Sequence, residues 1–163
     1  FAAAQYEGPV YIRMGRLDVP CLFDQNYKFT IGKANVLREG SDCVIFANGV
    51  MVSTALEAAQ ELEEEGLKVA VVNVASVKPL DEETIVAYAQ KTGAVVTAEE
   101  HNIIGGLGSA VAEVLGEKAP TPLVRVGLKD TFGESGRPME LLEKYGLSKK
   151  DVKEAVKAVI ARK

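Results

Sequence analysis

The sequence contains a glycine-rich stretch, Gly105-Gly106-Leu107-Gly108-Ser109, of a kind that can bind phosphate. It follows an apolar strand pattern and opens a helical pattern, where glycines let a pyrophosphate approach the amides of a helix N-terminus. The third glycine of the dinucleotide-binding fingerprint is missing, because Val111 stands in its place. The stretch therefore favours a turn that packs a helix against a sheet over a phosphate cradle.

Two carboxylates and the only histidine, Glu99-Glu100-His101, end the strand pattern before this loop. Such a set suits acid–base catalysis, capping of the amides of Gly105 to Ser109, or binding of a partner chain. A lone histidine next to carboxylates is more often a structural hydrogen-bond partner than a catalytic group. Neighbouring residues at a strand end point to opposite sides, so Glu99 and Glu100 do not both face one substrate. These three residues and the three loop glycines are our candidates for a loop ligand or an interface.

Arg13 and Arg16 lie at the exit of residues 9–14, whose alternating pattern predicts a strand. Two guanidinium groups near a glycine suit bidentate binding of a phosphate. Spacing alone favours two solvated surface arginines, so the sequence by itself assigns them no ligand.

The composition excludes several classes of function. The 163 residues carry 19 basic and 23 acidic side chains and no tryptophan, so nucleic acid meets neither a basic field nor a stacking surface. No stretch approaches the roughly 18 apolar residues of a membrane span. Cys21 and Cys43 form no zinc motif and are expected to be reduced thiols packed as small apolar residues, which indicates a cytoplasmic protein. The sequence holds no serine-hydrolase elbow, P-loop or paired-histidine motif.

Apolar strand patterns alternate with helical patterns from about residue 28, which predicts an α/β fold with a mostly parallel sheet covered on both faces. The predicted strands of this sheet are residues 42–47, 69–74, 94–98 and 123–126, with residues 99–104 as a loop. Helices are predicted at about 54–65, 82–92, 105–117, 138–145 and 149–160. The expected N-caps are Ser53 or Thr54, Asp81 and Ser148, and the expected terminating glycines are Gly66 and Gly93.

Four groups of residues resemble the C-terminal region of transketolase, and their order and spacing match over nearly the whole chain. They are Pro9-Val10-Tyr11-Ile12-Arg13-Met14-Gly15-Arg16, Lys78-Pro79-Leu80-Asp81, Glu99-Glu100-His101 with Gly105-Gly106-Leu107-Gly108-Ser109, and Phe132-Gly133-Glu134-Ser135-Gly136 with Glu140-Leu141-Leu142 and Tyr145-Gly146-Leu147. The form resembles the split transketolases, in which a separate subunit carries the pyrimidine-binding and C-terminal domains. Because the first methionine is Met14, we expect a piece excised from a longer chain.

The resemblance implies a three-layer α/β/α domain with a mixed, mostly parallel five-stranded sheet that has one antiparallel strand. It implies that residues 1–20 are the last strand and exit of the pyrimidine-binding domain, that residues 21–28 are a linker, and that residues 29–163 are the C-terminal domain.

In that family, thiamine diphosphate with magnesium lies between a diphosphate-binding and a pyrimidine-binding domain of two subunits, and two-carbon ketol units pass between sugar phosphates. The family's metal-diphosphate motif and its activating glutamate are absent here. The resemblance therefore implies a chain that serves assembly and shapes the substrate channel, with no catalytic residue, no metal ligand and no cofactor bound by itself.

The resemblance also implies partners. They are an N-terminal, diphosphate-binding subunit or domain, a second copy of the chain through self-association, and a sugar phosphate. In the family, an arginine seven residues after the proline that opens the strand contacts the phosphate; Arg16 stands seven residues after Pro9, and Arg13 is the competing candidate.

Three alternatives stay open. The same domain occurs in 1-deoxyxylulose-5-phosphate synthase and in the beta chains of 2-oxo acid dehydrogenases, although His101 and the Phe132-Gly133-x-Ser135-Gly136 segment favour transketolase. The alternative of another class is a free-standing nucleotide-binding or interaction module.

Overall fold

A mixed five-stranded sheet forms the centre of the protein, whose computed structural model describes residues 1–16 and 18–163. Its strands are β1 (Asn35–Arg38), β2 (Cys43–Ala47), β3 (Val69–Asn73), β4 (Val95–Asn102) and β5 (Leu123–Leu128). They lie in the order β1-β3-β2-β4-β5. β1 is antiparallel to β3, and all other neighbours are parallel.

Helices cover both faces of this sheet. They are α1 (Ala2–Gln5), α2 (Met51–Glu64), α3 (Glu82–Thr92), α4 (Leu107–Lys118), α5 (Pro138–Lys144) and α6 (Lys149–Ile160). The apolar sides of α2 and α6 form one core with the side chains of Cys43, Ile45 and Ala47. The apolar sides of α3 and α4 form a second core with Val44 and Phe46. The predicted three-layer α/β/α fold with a mostly parallel sheet is therefore confirmed.

Two predicted helix caps have the expected geometry. The carboxylate of Asp81 accepts a hydrogen bond from the Thr84 amide at 3.3 Å and caps α3, and a second one from the Ala34 amide at 3.0 Å. Ser148 and Asp151 form a reciprocal capping box at the start of α6. Asp81 thereby also attaches the residues before β1 to the α/β domain.

Two local predictions are wrong. Residues 9–14 alternate in polarity but form no strand, because no strand of the described chain pairs with them. Helix α2 is capped at Val50, three residues before Ser53 and four before Thr54, the two expected caps, and it starts at Met51. The hydroxyl of Ser53 donates to the Val50 carbonyl at 3.0 Å. The chain leaves β2 through Gly49, whose φ of 56° turns it directly into the helix.

The cysteines differ in their surroundings. Cys43 is buried as expected, and burial raises the pKa of its thiol to about 12, which makes the thiol unreactive at neutral pH. The expectation that Cys21 is packed is wrong, since its side chain is exposed. Within residues 1–16 and 18–163, none of the helices has both the length and the apolar character needed to cross a bilayer.

A ladder of ion pairs joins α2 to α6. Glu61 lies 2.6 Å from the ammonium of Lys149 and 2.8 Å from that of Lys153. Lys153 and Lys157 also pair with Glu65 at 2.9 and 2.5 Å. Isolated surface pairs contribute little, but here Glu61, Glu65 and Lys153 are each held by two partners.

This ladder predicts an acid-sensitive contribution to stability. Hydrogen bonds from Lys149 and then Lys153 lower the pKa of Glu61 from 4.5 to about 2. Because the folded-state pKa is depressed, the stabilisation is complete above pH 4.5 and is lost as the pH falls towards about 2. Glu61→Gln should lower the thermal unfolding midpoint at neutral pH, and the gap to the wild type should narrow at about pH 3. Glu64→Gln is the control, because Glu64 makes no ion pair with another described residue. A gap that stays constant with pH would contradict the assignment.

Candidate functional site

The end of β4 extends beyond β2 at the carboxyl edge of the sheet. Pairing with β2 stops at Ala47 and Ala98, whereas β4 continues to Asn102. On the other side, Ala98 lies opposite Val126 and Asn102 opposite Leu128, so three residues of β4 bulge against one of β5. We call residues 99–102 the β4 tip. The predicted loop over residues 99–104 was thus wrong for its first four positions.

The side chain of Glu99 turns inward from the β4 tip and caps α4. It is 1% exposed. Its two oxygens accept hydrogen bonds from the amides of Leu107 at 2.7 Å and Gly108 at 2.8 Å. A buried carboxylate is costly unless hydrogen bonds satisfy it, and here two amides and the positive end of the helix dipole do so. Of the roles open from the sequence, the geometry favours capping for Glu99.

Gly106 makes room for this carboxylate, and Gly108 makes room for the side chains of Thr97 and Arg125. A Cβ on Gly106 would lie 2.0 Å from Glu99 Oε2 and 2.8 Å from the carbonyl oxygen of Asn102. A Cβ on Gly108 would lie 2.8 Å from the hydroxyl of Thr97. Gly105 has a φ of 76°, and its amide donates to the Ser109 hydroxyl at 2.9 Å. Because Glu99 occupies the Leu107 and Gly108 amides, an incoming phosphate would have to displace it.

Glu100 and His101 face away from this cap. Glu100 is half-buried and lies beside Arg13, whereas His101 is exposed with Nδ1 3.0 Å from the Asn102 carbonyl oxygen. Glu99 and Glu100 therefore point to different surroundings, and the structure does not bring the three residues together as an acid–base set.

Arg13 contacts the β4 tip directly, and Arg16 does not. Arg13 Nη2 donates to the carbonyl oxygen of Glu100 at 2.7 Å and lies 3.9 Å from the Glu100 carboxylate. Arg16 is exposed, and it forms no ion pair with the residues that the structure describes. The two candidate phosphate ligands thus have different environments, which the sequence did not separate.

A second support of the β4 tip comes from Asn102 and was not predicted from the sequence. Asn102 donates to the Asp130 carboxylate at 2.9 Å and accepts from the Ile104 amide at 2.8 Å. Asp130 adopts a φ of 49°, a conformation that aspartate tolerates better than most residues. Arg125 donates to the carbonyl of Ile103 at 2.8 Å. Asn102 and Asp130 are far apart in the sequence. The one signal for their contact was that polar residues lie at the ends of two parallel strands, β4 and β5.

Within the described ranges, no three His, Cys, Asp or Glu side chains come together as a metal-ligand set. The donors present do not fit a magnesium–diphosphate site. The carboxylates of the β4 tip are engaged by backbone amides or by arginine.

A model of the transketolase C-terminal domain matches residues 32–152. The chain belongs to this family. Its match includes every strand of the sheet and the whole β4 tip. The resemblance of the sequence motifs to the C-terminal region of transketolase is therefore confirmed.

Similar proteins include two curated relatives and one solved structure, all of them longer than this chain. A 6-deoxy-6-sulfo-D-fructose transketolase subunit of Clostridium sp. (strain MSTE9) is 52% identical over 158 residues, which are 97% of this chain and 49% of the relative. A 1-deoxy-D-xylulose-5-phosphate synthase of Desulforudis audaxviator is 48% identical over 151 residues, 90% of this chain and 24% of that enzyme. A split-gene transketolase solved as an inactive beta4 tetramer superposes with a TM-score of 0.94 at 56% identity, over 98% of this chain and 52% of the other. The chain thus spans about half of the two transketolase relatives and about a quarter of the synthase.

The contact between Gly106 and Glu99 yields a paired prediction. Gly106→Ala should destabilise the protein by at least about 2 kcal/mol, because the methyl group displaces a buried carboxylate from its two amides. Gly116→Ala, in the interior of α4 with open space around its Cβ, should stabilise the protein by about 0.5–1 kcal/mol. Urea unfolding of both variants measures the difference. Equal effects would show that Gly106 is only a flexible turn residue.

Proposed function

We propose that the chain is the C-terminal section of a thiamine-diphosphate-dependent transketolase, which moves two-carbon ketol units between sugars that carry a terminal anion. Membership of the family and a transketolase subunit as a relative at 52% identity support this. The observation that carries the proposal is the position of Arg16, three residues after an arginine anchored on the β4 tip.

The chain supplies no cofactor chemistry in this proposal. Thiamine diphosphate and magnesium belong to the N-terminal, diphosphate-binding part and to the pyrimidine-binding domain, in which we place residues 1–20. Residues 21–28 act as the linker, and residues 29–163 are the C-terminal domain. None of the residues of the β4 tip is assigned a catalytic role, and the domain serves assembly and shapes the substrate channel.

Arg16 is our candidate ligand for the terminal anion of the sugar. Its guanidinium group is exposed, always charged and able to bind a tetrahedral oxyanion through two parallel hydrogen bonds. Phosphate and sulfonate share this chemistry, and a relative is named for a sulfonated sugar. Arg13, the competing candidate, is already engaged by Glu100.

Exposed apolar side chains support docking of the N-terminal subunit on the first segment and the loop after β5. Tyr11 is 89%, Met14 84% and Phe132 97% exposed. Side chains of this size are rarely left in water together unless a partner covers them. Self-association is a second part of the proposal, supported by the tetramer of the split-gene relative. We place the complete enzyme in the cytoplasm, on the strength of two cysteines that form no disulfide.

A second candidate reaction is 1-deoxyxylulose-5-phosphate synthesis, which the Desulforudis relative favours at 48% identity. Both reactions use the same domain and a phosphorylated sugar, so assays with the complete enzyme decide between them. A nucleotide-binding module is disfavoured, because Glu99 fills the helix terminus that a nucleotide phosphate would use.

The division of roles predicts that this chain alone does not bind thiamine diphosphate. Calorimetric titration with the cofactor and magnesium should give no heat of binding, since the donors present do not form a metal-ligand set. The signal should appear only when the diphosphate-binding part and the rest of the pyrimidine-binding domain are both present. Micromolar affinity of the chain by itself would contradict the proposal.

The assignment of Arg16 predicts a selective kinetic loss. In the complete enzyme, Arg16→Ala should lower kcat/KM about tenfold or more for D-fructose 6-phosphate, because hydrogen bonds to a charged group are lost. D-fructose, which lacks the anion, should be affected little. Equal losses for both sugars would show that Arg16 acts through folding.

A further inference from the structure

One hydrogen bond joins the segment that carries Arg16 to the α/β domain. Among the described residues from 6 to 20, the bond from Arg13 to the Glu100 carbonyl is the one hydrogen bond that reaches beyond residue 34. The side chains of this segment are otherwise exposed. Gly15 lies over the same point, since a Cβ there would be 4.0 Å from the Glu100 carboxylate. The position of Arg16 relative to the domain therefore depends on Arg13.

The acceptor of this bond is available because of the shape of the sheet. Glu100 lies beyond the last β2 pair and inside the bulge against β5, where β4 is out of register with its neighbour. The residues on either side are fixed, Glu99 by the α4 amides and Asn102 by Asp130. Arg13 is thus attached to a rigid part of the molecule.

We propose that Arg13 is a positioning residue, which acts on the terminal anion of the sugar through Arg16. Its bond to the Glu100 carbonyl holds the segment of residues 13–16 on the β4 tip and so fixes where the Arg16 guanidinium is presented. The Glu100 carboxylate at 3.9 Å offsets the charge of Arg13, which leaves Arg16 as the cation for the substrate. This inference rests on the proposed function of Arg16.

A double-mutant cycle in the complete enzyme separates positioning from direct binding. The variants are Arg13→Met, Arg16→Ala and both together, assayed with D-fructose 6-phosphate, 6-deoxy-6-sulfo-D-fructose and D-fructose. Arg13→Met should lower kcat/KM about tenfold for the two anionic sugars and little for D-fructose. In the Arg16→Ala background it should cause no further loss, because the residue through which it acts is gone.

Two further variants serve as a conservative substitution and as a control for the loss of an arginine elsewhere. Arg13→Lys should retain most of the activity, since an ammonium group also reaches a carbonyl oxygen. Arg162→Met is the matched control: Arg162 donates to the carbonyl of Leu123 at 3.1 Å, at the opposite end of the sheet, and its loss should leave kcat/KM unchanged.

The outcomes distinguish this inference from the proposed function. Additive losses in the double variant would make Arg13 a direct ligand and overturn the positioning role. An Arg13→Met variant with full activity, or with equal losses for all three sugars, would also overturn it. If Arg16→Ala itself does not discriminate between the sugars, the proposed function fails and the inference fails with it. A loss confined to one of the two anionic sugars identifies that anion as the group that Arg13 helps to position and supports the inference.

Discussion

The buried carboxylate of Glu99 is the interaction on which the rest of the site depends. It satisfies two free amides at the start of α4, and those amides in turn satisfy a charge that the interior would otherwise reject. Because the carboxylate occupies the space beside residue 106, glycine is required there. The bulge that turns Glu99 inward also exposes the neighbouring carbonyl of Glu100 to Arg13. One capping contact thus fixes the helix, the loop and the attachment of the first segment.

The same contact fills the helix terminus beside the glycine-rich loop, because Glu99 holds the Leu107 and Gly108 amides. Ligands of open α/β sheets bind beyond the carboxyl ends of the strands, where helix amides point outward. Here the protein's own side chain takes that place. In our proposal, the anion of the substrate instead meets Arg16, on a segment that lies over the same edge of the sheet, so the domain acts as a scaffold.

The sequence predicted the parts of the fold that local patterns determine. Residues 69–72 are all apolar, and Val69–Asn73 forms a strand in which every residue is buried. Ser148 forms the capping box expected from its spacing to Asp151. No strand was predicted from the local pattern at Asn35–Arg38, which forms β1. This edge strand has only four residues and is half-buried, so it carries no apolar run. Residues 9–14 carry a strand pattern but have no partner strand among the described residues. Whether a segment becomes a strand depends on pairing, and one segment cannot encode its partner.

The site could be predicted only in its residue types. Glu99 was a candidate, but whether it caps amides or meets a substrate depends on the bulge, which two strands create together. The bond between Arg13 and Glu100 joins residues 87 positions apart, and no spacing rule relates them. Arg13 and Arg16 differ in their surroundings because the end of β4, which extends beyond β2, meets Arg13.

The most direct test of the account is an NMR titration of the chain with pyrophosphate, followed at the amides of Leu107 and Gly108. If Glu99 fills the helix terminus, these two resonances stay in place throughout the titration. A saturable shift of both amides would show that the loop binds phosphate, and would contradict the role of the domain as a scaffold.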